Sequence, residues 1–144
     1  MRSGVLLDTG PLVAYLSPND RHHDWAVASF DEFTGPVISC AAVLTEACFL
    51  VARNRSPAQR VLEFVIRTGV RINLDLGEEL AAIAALMQRY AEVPMSLADA
   101  CLVRLAELTG LPICTLDSDF AIYRTHRRRP LQLIAPQSGL LHEP

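Results

Sequence analysis

The chain has 144 residues, of which 51% are hydrophobic and 20% are charged, and this composition excludes an intrinsically disordered protein. The length suits one domain with a sizeable buried core. A formal net charge of −3 excludes a generally basic nucleic-acid-binding surface, although local basic patches are compatible with it.

The first half of the chain alternates short apolar runs with helical patterns. These patterns predict, in order, a strand at 4–7, a short helix ending at Leu16, a helix at 22–33, a strand at 36–39, a helix from about Cys40, a helix reaching about Thr68 and a strand at 70–74. Ser56 is the expected N-cap of the last of these helices, because Pro57 suits a first helical position. Gly69 is the expected end of the same helix.

The second half continues this alternation. Residues 77–93 form an amphipathic helical pattern that is closed by Pro94. Its apolar stripe consists of Leu80, Ile83, Ala84, Met87 and Tyr90. The remaining patterns predict a helix at 96–110 and strands at 112–116 and 131–135. Strands that alternate with helices imply right-handed crossovers and a mostly parallel sheet. The expected fold class is therefore α/β: a single three-layer α/β/α domain over 1–144, with a five-stranded sheet covered on both faces.

Neither an export signal nor a membrane span is predicted. The apolar run at the N-terminus meets Asp8 after three residues, which is too early for a signal-peptide core. The apolar segment 35–52 contains Glu46 and is better explained as a strand followed by a helix. The four cysteines, at positions 40, 48, 101 and 114, form no CxxC pair, and this favours buried thiols over a zinc site. We expect a cytoplasmic protein.

Four carboxylates occupy related positions in the predicted topology. Asp8 follows the first strand directly and Asp117 follows the fourth, while Glu46 and Asp99 lie on the helices associated with the second and fourth strands. In open parallel sheets, ligands bind beyond the carboxyl ends of strands, where the strand order reverses. Four carboxylates in one pocket need a cation, and an all-oxygen ligand set favours Mg²⁺ or Mn²⁺ over zinc.

Glu46 is the least easily explained of the four, because the helix around it is apolar on every side. Such a helix is expected to be buried, and an unpaired buried carboxylate is costly. A divalent cation would be one partner for Glu46. Arg53, on the following turns of the same face, would be another.

The other three acids also have structural interpretations. Asp8 can cap the helix that begins near Pro11. Ser96 and Asp99 form the S-x-x-D pattern of a capping box. Asp117, like Ser118 beside it, can cap whatever helix follows.

The motifs VLLDTGPLVAYL, VLTEACFL, SLADACLVRLAE and TLDSDF, in this order, resemble the PIN domain and, within that family, the VapC-like toxin ribonucleases. The resemblance extends from about residue 5 to residue 135. It implies that four acids bind the catalytic metal: Asp8, Glu46, Asp99 and Asp117. By the same resemblance, Thr9 supports the first acid or contacts a phosphate, and Asp119 is an auxiliary acid.

The resemblance implies a Mg²⁺-dependent endoribonuclease, with Mn²⁺ as a possible substitute, that is the toxic component of a type II toxin–antitoxin system. A small antitoxin protein would then be a partner. Two alternatives stay open: a catalytically inactive PIN-like module that binds RNA or protein, and an RNA-processing nuclease that is not a toxin. The mean hydropathy of +0.24 and the apolar helix around Glu46 also predict a homodimer.

Substrate affinity must come from outside the acidic cluster, since carboxylates repel RNA when no metal is bound. Arg53, Arg55 and Arg60, near one helix junction, are the predicted RNA-binding residues. The HRRRP run at 126–130 is a further candidate, and a solvated charged loop is an equally good interpretation of it.

Overall fold

The structure, a computed structural model, describes residues 3–136. Its centre is a sheet of five strands, all parallel, in the order β3-β2-β1-β4-β5. The strands are β1 (Val5–Leu7), β2 (Val37–Ser39), β3 (Arg71–Ile72), β4 (Ile113–Cys114) and β5 (Leu133–Ile134). The predicted α/β class and the five-stranded parallel sheet are thus confirmed. The predicted domain, 1–144, includes residues 1–2 and 137–144, which lie outside the described part of the chain.

Six α-helices and one 3₁₀ turn accompany the sheet. The helices are α1 (Thr9–Leu16), α2 (His23–Glu32), α3 (Ala41–Arg53), α4 (Gln59–Thr68), α5 (Leu76–Arg89) and α6 (Leu97–Thr109), and the 3₁₀ turn is Ser118–Ala121. Gly69 and Gly110 end α4 and α6 in the left-handed conformation that glycine adopts without steric cost. In residues 3–136, every helix is too short or too polar to span a bilayer.

The core has two parts, one on each face of the sheet, because successive residues of a strand point to opposite faces. Leu6 of β1 packs with residues of α5 and α6, whereas Val5 and Leu7 pack with residues of α1 and α4. Helix α3 contributes to both parts: Val43 belongs to the first, and Ala47 to the second. Consequently, α3 contacts helices of both parts: α6 on one side, and α1 and α4 on the other.

Two of the predicted elements begin or end at other residues. Ser56 does not cap α4, which starts at Gln59. A turn precedes the helix, and in it the Arg60 amide donates to the Pro57 carbonyl at 3.1 Å. Ser56 instead accepts a hydrogen bond from Arg60 Nη1 at 3.3 Å. Helix α5 ends at Arg89, before Pro94.

The buried face of α5 differs from the predicted stripe. Ile83 and Leu86 are its buried residues, whereas Leu80 is 57% exposed and Ala84 faces solvent. The predicted stripe is confirmed at Ile83, Met87 and Tyr90, which pack in the core, and is wrong at Leu80 and Ala84. The helix is rotated so that Leu86, an equally apolar residue at helical spacing, is buried instead. Three of the four cysteines are buried as predicted, Cys48 is only half-buried, and all four are free.

Candidate active site

Asp8 lies where the strand order reverses, between β1 and β4. Its backbone amide donates to the carbonyl of Cys114 at 3.0 Å, which extends the ladder between the two strands by one bond. Its side chain accepts two hydrogen bonds, from the Thr9 amide to Oδ1 (2.8 Å) and from the Thr115 hydroxyl to Oδ2 (2.7 Å). Asp8 is also the N-cap of α1, so its structural interpretation is correct alongside any role at the site.

The electrostatic environment of Asp8 disfavours its charged form. Burial raises the pKa of this carboxyl to about 7, against the opposing effect of the hydrogen bonds from Thr115 and Thr9. The negative charges of Asp99 and Asp117 raise the pKa further. A carboxyl that is poised between its two forms near neutral pH is a common feature of functional sites.

The Asp99 carboxylate accepts hydrogen bonds from two donors, both at Oδ2, and its backbone amide makes a third hydrogen bond. The capping box predicted from the sequence is present: the Asp99 amide donates to Ser96 Oγ at 3.0 Å, and the Ser96 amide approaches Asp99 Oδ2 at 3.5 Å. The Tyr123 hydroxyl donates to the same Oδ2 at 2.8 Å. No group among residues 3–136 donates to Oδ1, and this oxygen is available to a ligand.

Burial also raises the pKa of Asp99, and the negative charge of Asp117 raises it further. The hydrogen bond from Tyr123 is the largest effect that lowers this pKa. Asp99 and Asp8 therefore share one kind of environment. Each is almost fully buried, each is tied to the protein by hydrogen bonds, and each is destabilised as an anion by its neighbours.

Glu46 projects from the middle of α3 and accepts a hydrogen bond from the Thr9 hydroxyl at 3.1 Å. The expectation that α3 is buried on all sides is wrong, because Phe49 is 61% exposed and Glu46 itself is only half-buried. The alternative pairing with Arg53 is also wrong for the described part of the chain. The Arg53 guanidinium lies over the Phe49 ring instead, 5.7 Å from its centroid.

Asp117 follows β4 and is linked to Asp8 through one threonine. The Thr115 hydroxyl accepts a hydrogen bond from the Asp117 amide at 2.9 Å while donating to Asp8. Asp117 Oδ1 accepts from the Asp119 amide at 2.9 Å and so caps the 3₁₀ turn, as its structural interpretation required. Asp119 is half-buried, and burial raises its pKa.

The four acids line one cavity of about 250 Å³, here called the acid cavity. Its lining residues are Asp8, Thr9, Gly10, Glu46, Leu50, Asp99, Leu116 and Asp117. Gly10 is required for its shape, because a Cβ at this position would come within 3.2 Å of the Leu116 side chain. The structure thus brings the four predicted acids and Thr9 together, whereas Asp119 does not line the cavity.

The donor set of the acid cavity fits a hard divalent cation. Its polar side chains are carboxylates and one hydroxyl, with no imidazole and no thiolate in the lining, so zinc is a poor match. No group of three or more His, Cys, Asp or Glu side chains in residues 3–136 stands close enough to enclose a metal ion alone. The match to a hard cation therefore rests on the chemistry of the lining carboxylates alone.

The three predicted RNA-binding arginines lie apart from the acid cavity. Arg60 is held by the carbonyl of Leu16 and the hydroxyl of Ser56, both at 3.3 Å, so it connects α4 to the end of α1. Arg53 and Arg55 are exposed and do not line the cavity. The contacts of Arg60 are those of a structural residue.

Two residues of the site were not predicted from the sequence. Thr115 orients Asp8, and its position at the end of a predicted strand, two residues before Asp117, was a usable signal. Tyr123 orients Asp99 from a distance of 24 residues along the chain. Nothing local in the sequence marks Tyr123, because its role depends on how the segment after the 3₁₀ turn packs against α6.

Comparison with known proteins agrees with this fold. In structure the chain is similar to VapC20 of Mycobacterium tuberculosis, a Sarcin-Ricin loop cleaving toxin, with 23% identity and a TM-score of 0.73 over 88% of this chain and 99% of that one. No curated protein matches the chain in sequence. The family model described as PIN domain matches residues 5–125, which is most of the chain and includes all four acids. The chain belongs to the PIN domain family.

Proposed function

We propose that this protein is a Mg²⁺-dependent endoribonuclease, able to use Mn²⁺, and that it is the toxic component of a type II toxin–antitoxin system. The observation that carries the proposal is the convergence of Asp8, Glu46, Asp99 and Asp117 on one cavity at the switch point of the sheet. Membership of the PIN domain family supports nuclease chemistry. The likeness in fold to VapC20 supports the narrower assignment to toxins.

Asp8 and Asp99 are the proposed direct ligands of the metal. Asp99 is suited to this role because Oδ2 is occupied by protein donors while Oδ1 is not. A divalent ion held by these residues would supply an activated water and would offset negative charge on the phosphoryl group. Glu46 and Asp117 orient the attacking water, and we expect products with 5′-phosphate and 3′-hydroxyl ends.

The remaining residues of the site position these acids. The Thr9 hydroxyl fixes the orientation of Glu46, and the Thr115 hydroxyl fixes that of Asp8. Asp119 acts through its neighbour, because its amide donates to Asp117. The hydrogen bonds pre-orient carboxylates that would otherwise repel one another, and this prepares the site for the cation.

Cleavage of a mixed RNA pool with and without Mg²⁺ tests this function. Asp99→Asn keeps the shape of the side chain and its capping bond but removes its charge, so we expect a loss of activity on the order of 10³-fold. Asp31→Asn is the matched control, because Asp31 is exposed at the end of α2 and far from any proposed role. Asp99→Asn protein that cleaves at nearly the wild-type rate, in the presence of Mg²⁺, would exclude Asp99 as a ligand. A wild-type protein without any metal-dependent cleavage would favour the inactive RNA- or protein-binding module.

Induced expression in a bacterial host tests the assignment as a cytoplasmic toxin. Growth arrest by the wild type, and normal growth with Asp99→Asn, is the expected outcome. Cleavage of RNA by the purified wild type combined with normal growth would favour the RNA-processing nuclease instead. A small antitoxin, the proposed partner, should suppress the arrest when it is co-expressed from the adjacent reading frame.

Homodimer formation is part of the same proposal. Three exposed apolar side chains on the neighbouring helices α3 and α4 support it: Phe49, Leu62 and Ile66, which are 61%, 48% and 81% exposed. Light scattering of the isolated protein at micromolar concentration should give twice the mass of the chain. A monomeric mass at every concentration would contradict the dimer.

A further inference from the structure

A second cavity is lined mainly by basic side chains, in contrast to the acid cavity. It measures about 510 Å³ and is lined by Arg89, Tyr90, Arg124, His126 and Arg128. We call it the arginine pocket. The pocket lies between the end of α5 and the HRRRP segment, and no residue of that segment lines the acid cavity.

The positive charge of the arginine pocket is largely uncompensated. No carboxylate lines it, and Arg89, Arg124 and Arg128 form no ion pair within residues 3–136. His126 is the exception, since its Nδ1 lies 3.4 Å from Glu107, which also pairs with Arg104. Three guanidinium groups without counter-charges around one opening form a binding site for a polyanion.

The pocket is organised before any ligand arrives. Arg124 Nη1 donates to the carbonyls of Ala121, Ile122 and Tyr123 at 2.8, 3.2 and 3.0 Å, so the position of its guanidinium is fixed. Its other guanidinium nitrogens make no hydrogen bond within the described residues. Planar groups fixed in this way suit bidentate contacts to phosphate oxygens.

The HRRRP segment is a tight turn that directs Arg128 into the pocket. The Arg128 amide donates to the Thr125 carbonyl at 2.8 Å, and the Thr125 amide donates to the Arg129 carbonyl at 3.0 Å. Arg128 has a φ of 60°, a left-handed conformation that is uncommon for a residue with a side chain. The segment is therefore a defined turn with Arg128 at the pocket. Residues 126–130 are all exposed, so the interpretation as a solvated charged loop is not contradicted.

Two tyrosines connect the arginine pocket to the acid cavity. The hydroxyl of Tyr90, in the pocket, accepts a hydrogen bond from the Arg124 amide at 2.8 Å. The Tyr90 ring packs edge-on against the Tyr123 ring, with centroids 5.0 Å apart, and Tyr123 donates to Asp99. This chain of contacts brings the arginine pocket close to Asp99. Tyr123 itself is fully buried, so Tyr90 is the tyrosine that a bound strand can contact.

We infer that the arginine pocket binds the sugar–phosphate backbone of single-stranded RNA beside the scissile bond. This inference rests on the proposed function, which supplies the substrate, and it assigns affinity to a different set of arginines from those predicted by the sequence. It also resolves an electrostatic problem, because the acid cavity repels RNA and needs a neighbouring region that attracts it. The hydroxyl proton of Tyr90 has no acceptor in the described part of the chain and can be donated to a phosphate.

The test is the affinity of a fluorescent homopolymeric single-stranded RNA for the full chain, measured in EDTA at several salt concentrations. Because no cleavage occurs under these conditions, the result does not depend on the proposed catalytic role. Arg89→Gln combined with Arg128→Gln should raise Kd on the order of tenfold and reduce the salt slope by about 1.4, the value for two lost contacts to a single strand. Arg67→Gln combined with Arg71→Gln removes the same charge at the opposite edge of the sheet, and it should change both quantities much less.

A third variant, Arg89→Lys combined with Arg128→Lys, guards against misfolding as an explanation. It keeps the positive charges, so it should restore most of the salt slope. Equal affinities for the two Gln variants would overturn the proposal. Binding of poly-glutamate is measured in parallel. If Arg89→Gln combined with Arg128→Gln lost affinity for poly-glutamate but not for RNA, the proposal would also be overturned, and the pocket would be assigned to an acidic polypeptide. A wild type that binds RNA through this pocket but never cleaves it would refute the nuclease function and leave the pocket standing.

Discussion

In the acid cavity, three of the four acids lie at the end of a strand or in the first turn of a helix, and the fourth, Glu46, lies in the middle of α3. The two most buried acids, Asp8 and Asp99, are 5% and 8% exposed. In the arginine pocket, Arg89 and Arg128 belong to exposed positions, and water can screen their charges. Repulsion between the buried carboxylates therefore lowers the stability of the folded protein at the acid cavity. Repulsion between the exposed guanidinium groups has little such effect at the arginine pocket. If both proposals hold, catalysis and RNA affinity depend on different parts of the molecule, at very different costs in stability.

The pH dependence of the metal-free protein should show the largest effect. The pKa of Asp8 is about 7 in the folded protein, whereas that of an unfolded aspartate is about 3.9. Between these values the folded state holds a proton that the unfolded state has lost, so this contribution to stability is complete below about pH 4 and disappears as the pH rises through about 7. It amounts to roughly 4 kcal/mol in total, or about 1.4 kcal/mol per pH unit within the window.

Urea unfolding in EDTA at pH 5.0 and 6.5, for the wild type and for Asp8→Asn, measures this contribution. The asparagine can still cap α1, but its side chain does not titrate. The free energy of unfolding of the variant should therefore fall less steeply with rising pH. Identical pH slopes for the two proteins would show that Asp8 is charged at neutral pH despite its burial.

Metal binding should give the next largest effect, and it should be confined to the acid cavity. A metal at about 100 times its Kd should stabilise the wild type by about 2.7 kcal/mol through mass action. Asp99→Asn should lose most of this gain, while the exposed Asp31→Asn should retain it. Thermal melts with and without Mn²⁺ provide the measurement, and an undiminished gain in Asp99→Asn would assign the metal to other residues.

Tyr123→Phe should have a smaller effect on stability, on the order of 1.5–3 kcal/mol, because it removes a buried hydrogen bond to a carboxylate. The same bond lowers the pKa of Asp99, so its loss should raise that pKa further. We expect the acidic limb of the cleavage–pH profile to move to higher pH. An unchanged profile together with lower stability would limit Tyr123 to a packing role.

Arg89→Gln combined with Arg128→Gln should have the smallest effect, within about 0.5 kcal/mol of the wild-type unfolding free energy, as expected for exposed positions. Chemical unfolding at one pH is sufficient to measure it. A large destabilisation would mean that the arginine pocket is a structural element, and the contrast between the two regions would then fail.

The sequence predicted the acid cavity better than the arginine pocket for a physical reason. Asp8 and Asp117 follow apolar runs directly, and the carboxyl ends of parallel strands lie at one edge of a sheet, so chain position alone brings the two together. The arginine pocket instead combines Arg89, at the end of one helix, with a turn near residue 128. No local pattern relates these two segments, because their proximity depends on tertiary packing.

The same limit explains the smaller errors. The rotation of α5 depends on which of several apolar stripes meets the sheet, and both Leu80 and Leu86 satisfy helical periodicity. The exposure of Phe49 could not be foreseen from the apolar composition of α3, since composition does not distinguish a core face from a surface that awaits a partner. At Asp99, by contrast, the capping interpretation and the ligand interpretation were compatible, because its two carboxylate oxygens have separate surroundings.

The hydrogen bonds of the Thr115 hydroxyl determine where on the Asp8 carboxylate a proton or a cation can bind. Its oxygen accepts the Asp117 amide, so its single hydrogen points toward Asp8 Oδ2, while the Thr9 amide occupies a position on Oδ1. A proton taken up by Asp8 must therefore use the lone pairs that face the acid cavity, which are the ones a cation needs. Protonation of Asp8 and binding of a cation should consequently compete for the same lone pairs. The apparent affinity for the ion should therefore weaken as the pH of the solution falls below 7.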